Sequence, residues 1–246
     1  MHLRLINPNT SVPMTEQIEV AAWRASAPDI EISAVCPSEG AASIESHTEE
    51  ILAAAAVVAE IERAQSAGRR IDGFVIACFG DPGLDAAREV ASVPVVGIAE
   101  AAMHAATLVG RHFGVVTTLP RTLGRAEDLV RRYGFETACV SLRAADVPVL
   151  ALEDPSSEAV DAIAAEALRA VEEDRADAIV LGCAGMAGLC RTLEARLGVP
   201  VLDGVAASVG LVSGLVRMGA GTSKRGEYAY PPRSMPTSAM PRNRVR

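Results

Sequence analysis

Aromatic side chains are scarce in this chain, with four Phe, three Tyr and one Trp among 246 residues, 3% in all. A core built almost without them must be filled by Ala, Val, Leu and Ile, which suits helices packed on buried parallel strands. Cysteines are few and odd in number. Cys36, Cys78, Cys139, Cys183 and Cys190 lie far apart, a poor disulfide framework that fits reduced thiols in the cytoplasm. There is no CxxC pair and the four histidines are scattered, so no zinc or iron–sulfur ligand pattern is present. The body of the chain lacks a basic run and its formal net charge is -8, which argues against a nucleic-acid partner. The longest apolar or Gly/Ser stretch, Gly204 to Val216, is too short to span a bilayer. The N-terminus runs straight into a strand-like segment without a signal-peptide pattern. These absences lead to the expectation of a soluble cytoplasmic protein with no nucleic-acid, membrane or metal partner.

What is present is an alternation of short apolar runs with longer amphipathic ones. Leu3 to Ile6 reads as a strand and is followed by a helix to about Ala27. Glu31 to Cys36 is a strand, Thr48 to Ala67 an Ala-rich helix, and Gly73 to Ala77 a continuous apolar strand. A short helix, the short strand Val95-Val96 and a helix to about Val109 complete a first half. The pattern then restarts with strands at Phe113 to Val116 and Thr137 to Leu142 around a helix from Pro120 to Tyr133. Asp154-Pro155 reads as an N-cap with Pro at the first helical position, opening a helix to about Glu173. The strand Ala178 to Leu181, a helix, the strand Val201-Leu202 and a last helix to about Met218 follow. Beyond Gly219 the chain is rich in Gly, Pro, Ser and Arg, as in an arm or tail. The expected fold class is therefore α/β.

The two halves share a motif. Asp72-Gly-Phe-Val-Ile-Ala-Cys78-Phe-Gly-Asp-Pro-Gly-Leu84 and Asp177-Ala-Ile-Val-Leu-Gly-Cys183-Ala-Gly-Met-Ala-Gly-Leu189 both fit D-x-x-V-[IL]-x-C-x-G-x-x-G-L, 105 residues apart (183 minus 78). The echo continues in Val93-Pro94-Val95 and Val199-Pro200-Val201. Two similar α/β subdomains are expected, 1–110 and 111–218, each with a parallel four-stranded sheet, followed by an arm and tail over 219–246. The last helix can exchange across the boundary. Ligands of such sheets bind at the carboxyl ends of the strands. A pseudo-twofold axis would then oppose Cys78 and Cys183 across a cleft between the halves.

Two opposed thiols suit inversion of an acidic C–H carbon, because one face needs a base and the other an acid. A turn of small residues leading into a helix after each Cys is expected to lower the thiol pKa. The N–H groups of Phe79, Gly80, Ala184 and Gly185 are candidate donors to the oxygen that carries the carbanion charge. Asn7 and Asn9 after the first strand, and Thr117 and Thr118 after its counterpart, are candidate substrate contacts.

The stretches Ile6-Asn-Pro-Asn-Thr-Ser11, Cys78-Phe-Gly-Asp-Pro-Gly-Leu84, Val115-Val-Thr-Thr118 and Leu181-Gly-Cys-Ala-Gly-Met186 resemble the hydantoin racemase family of the aspartate/glutamate racemase superfamily. The resemblance spans about residues 3 to 230. It implies cofactor-free racemisation of 5-monosubstituted hydantoins, or of allantoin, with Cys78 and Cys183 at the positions of the family's catalytic pair. Self-association into a homo-oligomer is also expected. Another isomerase or lyase of the superfamily, or a non-catalytic small-molecule-binding protein, are the alternatives. The presence of both cysteines argues against the single-cysteine decarboxylases.

Overall fold

In the computed structural model, residues 1–153 and 156–232 are described. Two four-stranded parallel sheets form, one per half. The first comprises β1 (His2–Ile6), β2 (Glu31–Val35), β3 (Gly73–Ile76) and β4 (Val95–Gly97) in the order β2-β1-β3-β4. The second comprises β5 (Phe113–Thr117), β6 (Cys139–Ala144), β7 (Ala178–Leu181) and β8 (Val201–Leu202) in the equivalent order β6-β5-β7-β8. Parallel pairing requires crossovers, and these are supplied by α1 (Val12–Ala25), α2 (His47–Ser66) and α3 (Leu84–Val90) in the first half. In the second they are α5 (Leu123–Arg132), α6 (Ser157–Glu172) and α7 (Cys190–Leu197). Each half closes on a further helix, α4 (Ile98–Val109) and α8 (Gly204–Arg217).

The period-two side-chain pattern of the strands sorts the core into three regions. Phe74 and Ile76 of β3 turn outward onto Val57, Ile61 and Leu84 of α2 and α3. Ile179 and Leu181 of β7 turn outward onto Ile163, Ala167 and Leu193 of α6 and α7. The opposite faces, with Leu3, Leu5, Val75, Phe113, Val115 and Val180, all enter one central core shared by both sheets.

That shared core is filled by α1, α4 and α8. Helix α4 packs on β7 of the second sheet, whereas α8 packs on β3 and β4 of the first, so each closing helix covers strands of the other half. The two helices meet at their N-termini. A Cβ on Gly204 would lie 2.5 Å from the Ile98 carbonyl oxygen and 2.8 Å from the Ile98 Cβ. Only glycine permits that approach. After α8 the chain returns to the first half. Thr222 donates to the Ser92 and Val93 carbonyls, and the Lys224 ammonium donates to the carbonyls of Arg88 and Glu89 at 2.6 and 3.0 Å. Among the described residues, no helix is long and apolar enough to cross a membrane.

Two local expectations are corrected and a third lies outside the described residues. Strand β6 begins at Cys139 rather than Thr137, because the N–H groups of Ala138 and Cys139 turn back to the Phe135 carbonyl. The segment from Pro120 starts as a 3-10 turn over Pro120–Thr122, and the α-helix proper opens at Leu123. Helix α6 is capped by Ser156, whose hydroxyl accepts from the Ala159 N–H. The N-cap expected at Asp154-Pro155 falls outside the described residues.

Gly204→Ala should destabilise the protein by about 1–3 kcal/mol through overpacking. Gly210→Ala is the control: it lies in the same helix with no atom within 4 Å of the added Cβ, and should be neutral or stabilising by up to about 1 kcal/mol. Urea midpoints of the two variants check this, and equal shifts would remove the special role of the Gly204 contact.

Candidate active site

Cys78 and Cys183 each follow the central strand of a sheet, β3 and β7, and both open into the same pocket. The pocket encloses about 620 Å³ of non-atom space including its open mouth. After each Cys the chain turns in the same way: the Asp81 N–H donates to the Cys78 carbonyl at 2.9 Å, and the Met186 N–H to the Cys183 carbonyl at 3.1 Å. These turns direct the N–H of Gly80 at the Cys78 sulfur and the N–H of Gly185 at the Cys183 sulfur. No α-helix starts directly behind either thiol. Residues 79–83 separate Cys78 from α3, and a 3-10 turn over Ala184–Leu189 separates Cys183 from α7. The expected support from a helix N-terminus is therefore replaced by single backbone donors.

The strand-end residues predicted to touch substrate come together at this place. Asn7, Asn9, Phe79, Gly80, Thr117, Thr118 and Ala184 line the pocket beside the two thiols, while Gly185 lies behind the wall, against Leu152 and Met14. Much of their polar capacity serves the loops. The Asn7 amide donates to the Asn9 side-chain oxygen (2.7 Å), to the Thr15 hydroxyl (2.9 Å) and to the Ser11 carbonyl (3.3 Å). The Thr117 hydroxyl donates to the Gly182 carbonyl at 3.2 Å. Asn9, whose amide nitrogen reaches only the Met14 sulfur, and Thr118 keep more capacity for a ligand.

Other lining groups escaped sequence reasoning. Arg125, Ala126 and Leu129 come from α5, Met14 from α1, Val149 from a 3-10 turn, and Ile44 from the loop before α2. Arg125 is the one charged residue of the lining, ion-paired to Glu50 of α2 at 3.2 Å. Asp81 braces the Cys78 turn from behind. It adopts φ +43, a left-handed conformation that Asp tolerates better than most residues. Its buried carboxylate accepts from the N–H groups of Ala99 and Glu100 at the start of α4, at 3.1 and 2.9 Å, and from the Tyr133 hydroxyl at 2.7 Å. It thereby caps α4, whose own N-cap Gly97 has no side chain to offer. A Cβ on Gly97 would fall 2.2 Å from the Asp81 carboxyl carbon.

Residues 3–212 match the family described as Asp/Glu/Hydantoin racemase. The chain belongs to that family. It is 47% identical to the hydantoin racemase of Pseudomonas sp. (strain NS671) over 231 residues, covering 94% of this chain and 92% of that protein. The structure of allantoin racemase from Klebsiella pneumoniae is similar with a TM-score of 0.92 and 52% identity, over 95% of each chain. That of allantoin racemase from Pseudomonas fluorescens gives 0.91 and 40%, over 96% of this chain and 99% of that one. The two-sheet α/β architecture is thus the fold of these racemases.

In this Asp/Glu/Hydantoin racemase the thiols are not activated in the free protein, contrary to the expectation of lowered pKa values. Burial pushes Cys78 up to about 12, against the pull of the Gly80 N–H, and a charge on Cys183 raises it further. Burial likewise pushes Cys183 up to about 11, against the pull of the Gly185 N–H. Desolvation outweighs one N–H donor per sulfur. The mutual effect has a direct consequence: the two thiols resist ionising together, so the favoured charged state is one thiolate facing one thiol.

Alkylation of the free protein tests this. Since only the thiolate reacts, modification of Cys78 and Cys183 by iodoacetamide should accelerate about tenfold per pH unit from pH 7 to pH 10. Peptide mapping by mass spectrometry gives the rates. A plateau near pH 8.5, where an ordinary thiol levels off, would show that burial does not dominate.

Proposed function

We propose that this racemase inverts C5 of 5-monosubstituted hydantoins by two-base proton transfer between Cys78 and Cys183. The observation that carries the reading is that two thiols at equivalent strand ends of a duplicated fold share one pocket. The sulfur of one cysteine, as thiolate, takes the C5 proton: an S–H bond forms and the C–H electron pair moves into the ring, onto the neighbouring carbonyl oxygen. The opposite thiol then delivers its proton to the other face of C5 and becomes the thiolate. The charge has crossed the pocket, and the enzyme is set for the reverse direction. The hydantoin C5–H is acidic because its carbanion is delocalised into the ring, so the step needs no added electron sink.

Substrate binding supplies what the free protein lacks. A ring that fills the pocket replaces water and brings C5 to within about 3–3.5 Å of the attacking sulfur. The Gly80 and Gly185 N–H groups stabilise whichever sulfur is charged. Asn9, Thr118 and the N–H groups of Phe79 and Ala184 are the proposed partners of the ring oxygens and nitrogens. Allantoin, a hydantoin with a ureido group at C5, belongs to the same substrate class. A cytoplasmic location fits the five cysteines, which form no disulfide. Assembly into a homo-oligomer rests on the family resemblance.

Loss of optical rotation of a pure 5-substituted hydantoin without added cofactor is the primary test. Cys78→Ser and Cys183→Ser should each abolish racemisation of both enantiomers, since a hydroxyl is a far weaker acid and base. Each variant should still exchange the C5 proton of one enantiomer with deuterated water, and the two variants should choose opposite enantiomers. NMR of each pure enantiomer reads this directly. Normal racemisation by either variant would end the two-thiol mechanism, and exchange of the same enantiomer by both would end the opposed-face geometry.

A further inference from the structure

The pocket holds one charged side chain, whose charge favours the Cys78 thiolate but which takes no part in carrying the proton between the two thiols. Arg125 projects from α5 into the lining, with its side chain only 13% exposed. Its Nη1 lies 3.5 Å from where a Cβ on Gly80 would stand, so it covers the turn beside Cys78. Its Nη1 is 3.2 Å from the Glu50 carboxylate, close enough for an ion pair. That N–H is not aligned on the oxygen as a hydrogen bond. Among the described residues the guanidinium donates no hydrogen bond at all, although it has five N–H donors. Other arginines of similar burial are tied down. Arg143 is held by Asp174, Glu166 and Glu173, and Arg88 by Glu100 and the Val95 carbonyl. A sheltered guanidinium with unspent donors in a pocket is a site for an acceptor group.

We propose that Arg125 binds a neutral carbonyl carried by the C5 substituent, so that the preferred substrates are hydantoins bearing a ureido or carboxamide group. This deepens the proposed function and rests on it. The hydantoin ring must lie between the sulfurs at the strand ends, where the strand-end loops meet its oxygens and nitrogens. The substituent then leaves C5 toward the walls. These are apolar at Ile44, Leu129 and Val149, and polar at Arg125 and at Thr122, whose hydroxyl already donates to the Leu119 carbonyl. Glu50 decides the charge of the acceptor. Its carboxylate already neutralises the guanidinium, and Glu45, which follows the pocket-lining Ile44 in the chain, is near enough for its charge to act on Cys183. A second carboxylate on the substrate would meet this acidic rim, whereas a neutral carbonyl oxygen takes the N–H donors without repulsion.

Steady-state racemisation of allantoin, 5-isobutylhydantoin and 5-(2-carboxyethyl)hydantoin by the full-length protein tests the assignment. Arg125→Met should lower kcat/KM for allantoin about tenfold or more beyond its effect on the isobutyl compound, the size expected for a hydrogen bond from a charged donor. The loss should appear mainly in KM, because the contact is made equally in ground and transition states. Glu50→Gln should raise kcat/KM for the carboxyethyl compound relative to allantoin, by freeing the charge of Arg125. Equal losses on all three substrates with Arg125→Met would overturn the subsite. So would an unchanged carboxyethyl-to-allantoin ratio with Glu50→Gln, which decides the matter even if Arg125→Met fails to fold. A wild-type protein inactive on all three hydantoins would overturn the proposed function together with the subsite. An active wild type that shows no Arg125 effect would overturn the subsite alone.

Discussion

Two sheets can offer their strand ends to one pocket only if their inner faces are held at a fixed angle and distance. Here that constraint is the meeting of α4 and α8, made possible by the missing side chain of Gly204 over the Ile98 carbonyl. Because each helix also covers strands of the opposite half, the halves cannot part without exposing Leu3, Val75, Phe113 and Val180 together. Such a shared apolar core makes a rigid frame, in contrast to the polar interfaces across which domains usually move. The position of Cys78 relative to Cys183 is thus fixed by the core rather than by loops.

The electrostatics of the pocket follow from the same burial. A site enclosed enough to exclude water raises both thiols, and their mutual repulsion leaves room for one negative charge. For proton transfer in either direction this is the useful condition. A base too easily ionised would be a weak acceptor of a carbon-bound proton, whereas a thiolate formed against desolvation is a strong one. The backbone donors of Gly80 and Gly185 are matched on the two sides, so neither thiol is committed to one role by its nearest neighbour.

Much of this was legible in the sequence because it is carried by local pattern. The apolar tetrads at Gly73–Ile76 and Ala178–Leu181 appear as the central strands β3 and β7. The repeated motif around each Cys marks the pair and the turn that follows it. The pocket residues next to those strands, such as Asn9 and Thr118, were within reach of the same reasoning. Arg125, Asp81 and Ile44 were not marked. Arg125 shares α5 with Arg131 and Arg132 in a charge-rich segment, and only the packing of that helix on β6 and α4 brings it to the pocket and to Glu50. Asp81 stands in a Gly/Pro-containing turn where an aspartate is commonplace. Its partners, Ala99, Glu100 and Tyr133, come from separate elements that no spacing rule connects. The pKa direction was also misread, since a turn and a following helix can be recognised in sequence whereas the depth of burial of a sulfur cannot.

The capping of the two closing helices carries a consequence for how such a doubled chain can change. Val93-Pro94-Val95 answers to Val199-Pro200-Val201, so Gly97 and Asp203 are equivalent positions. In the second half Asp203 caps α8 with its own carboxylate, on the N–H groups of Val205 and Ala206. In the first half the carboxylate arrives from Asp81, and Gly97 is emptied to admit it. The counterpart of Asp81 is Met186, which is buried in the second outer core. Each copy has therefore written the same answer at a different place, and the copies have ceased to be interchangeable parts. Transplanting Asp to position 97 would drive two carboxylates into one space, and transplanting Gly to position 203 would strip α8 of its cap. A protein assembled from two copies of the first half would keep both caps but place an isoleucine at each of the two equivalent positions where α4 and α8 meet, a contact that Gly204 makes possible. The ancestral symmetry survives in the backbone while the side chains have divided the labour irreversibly.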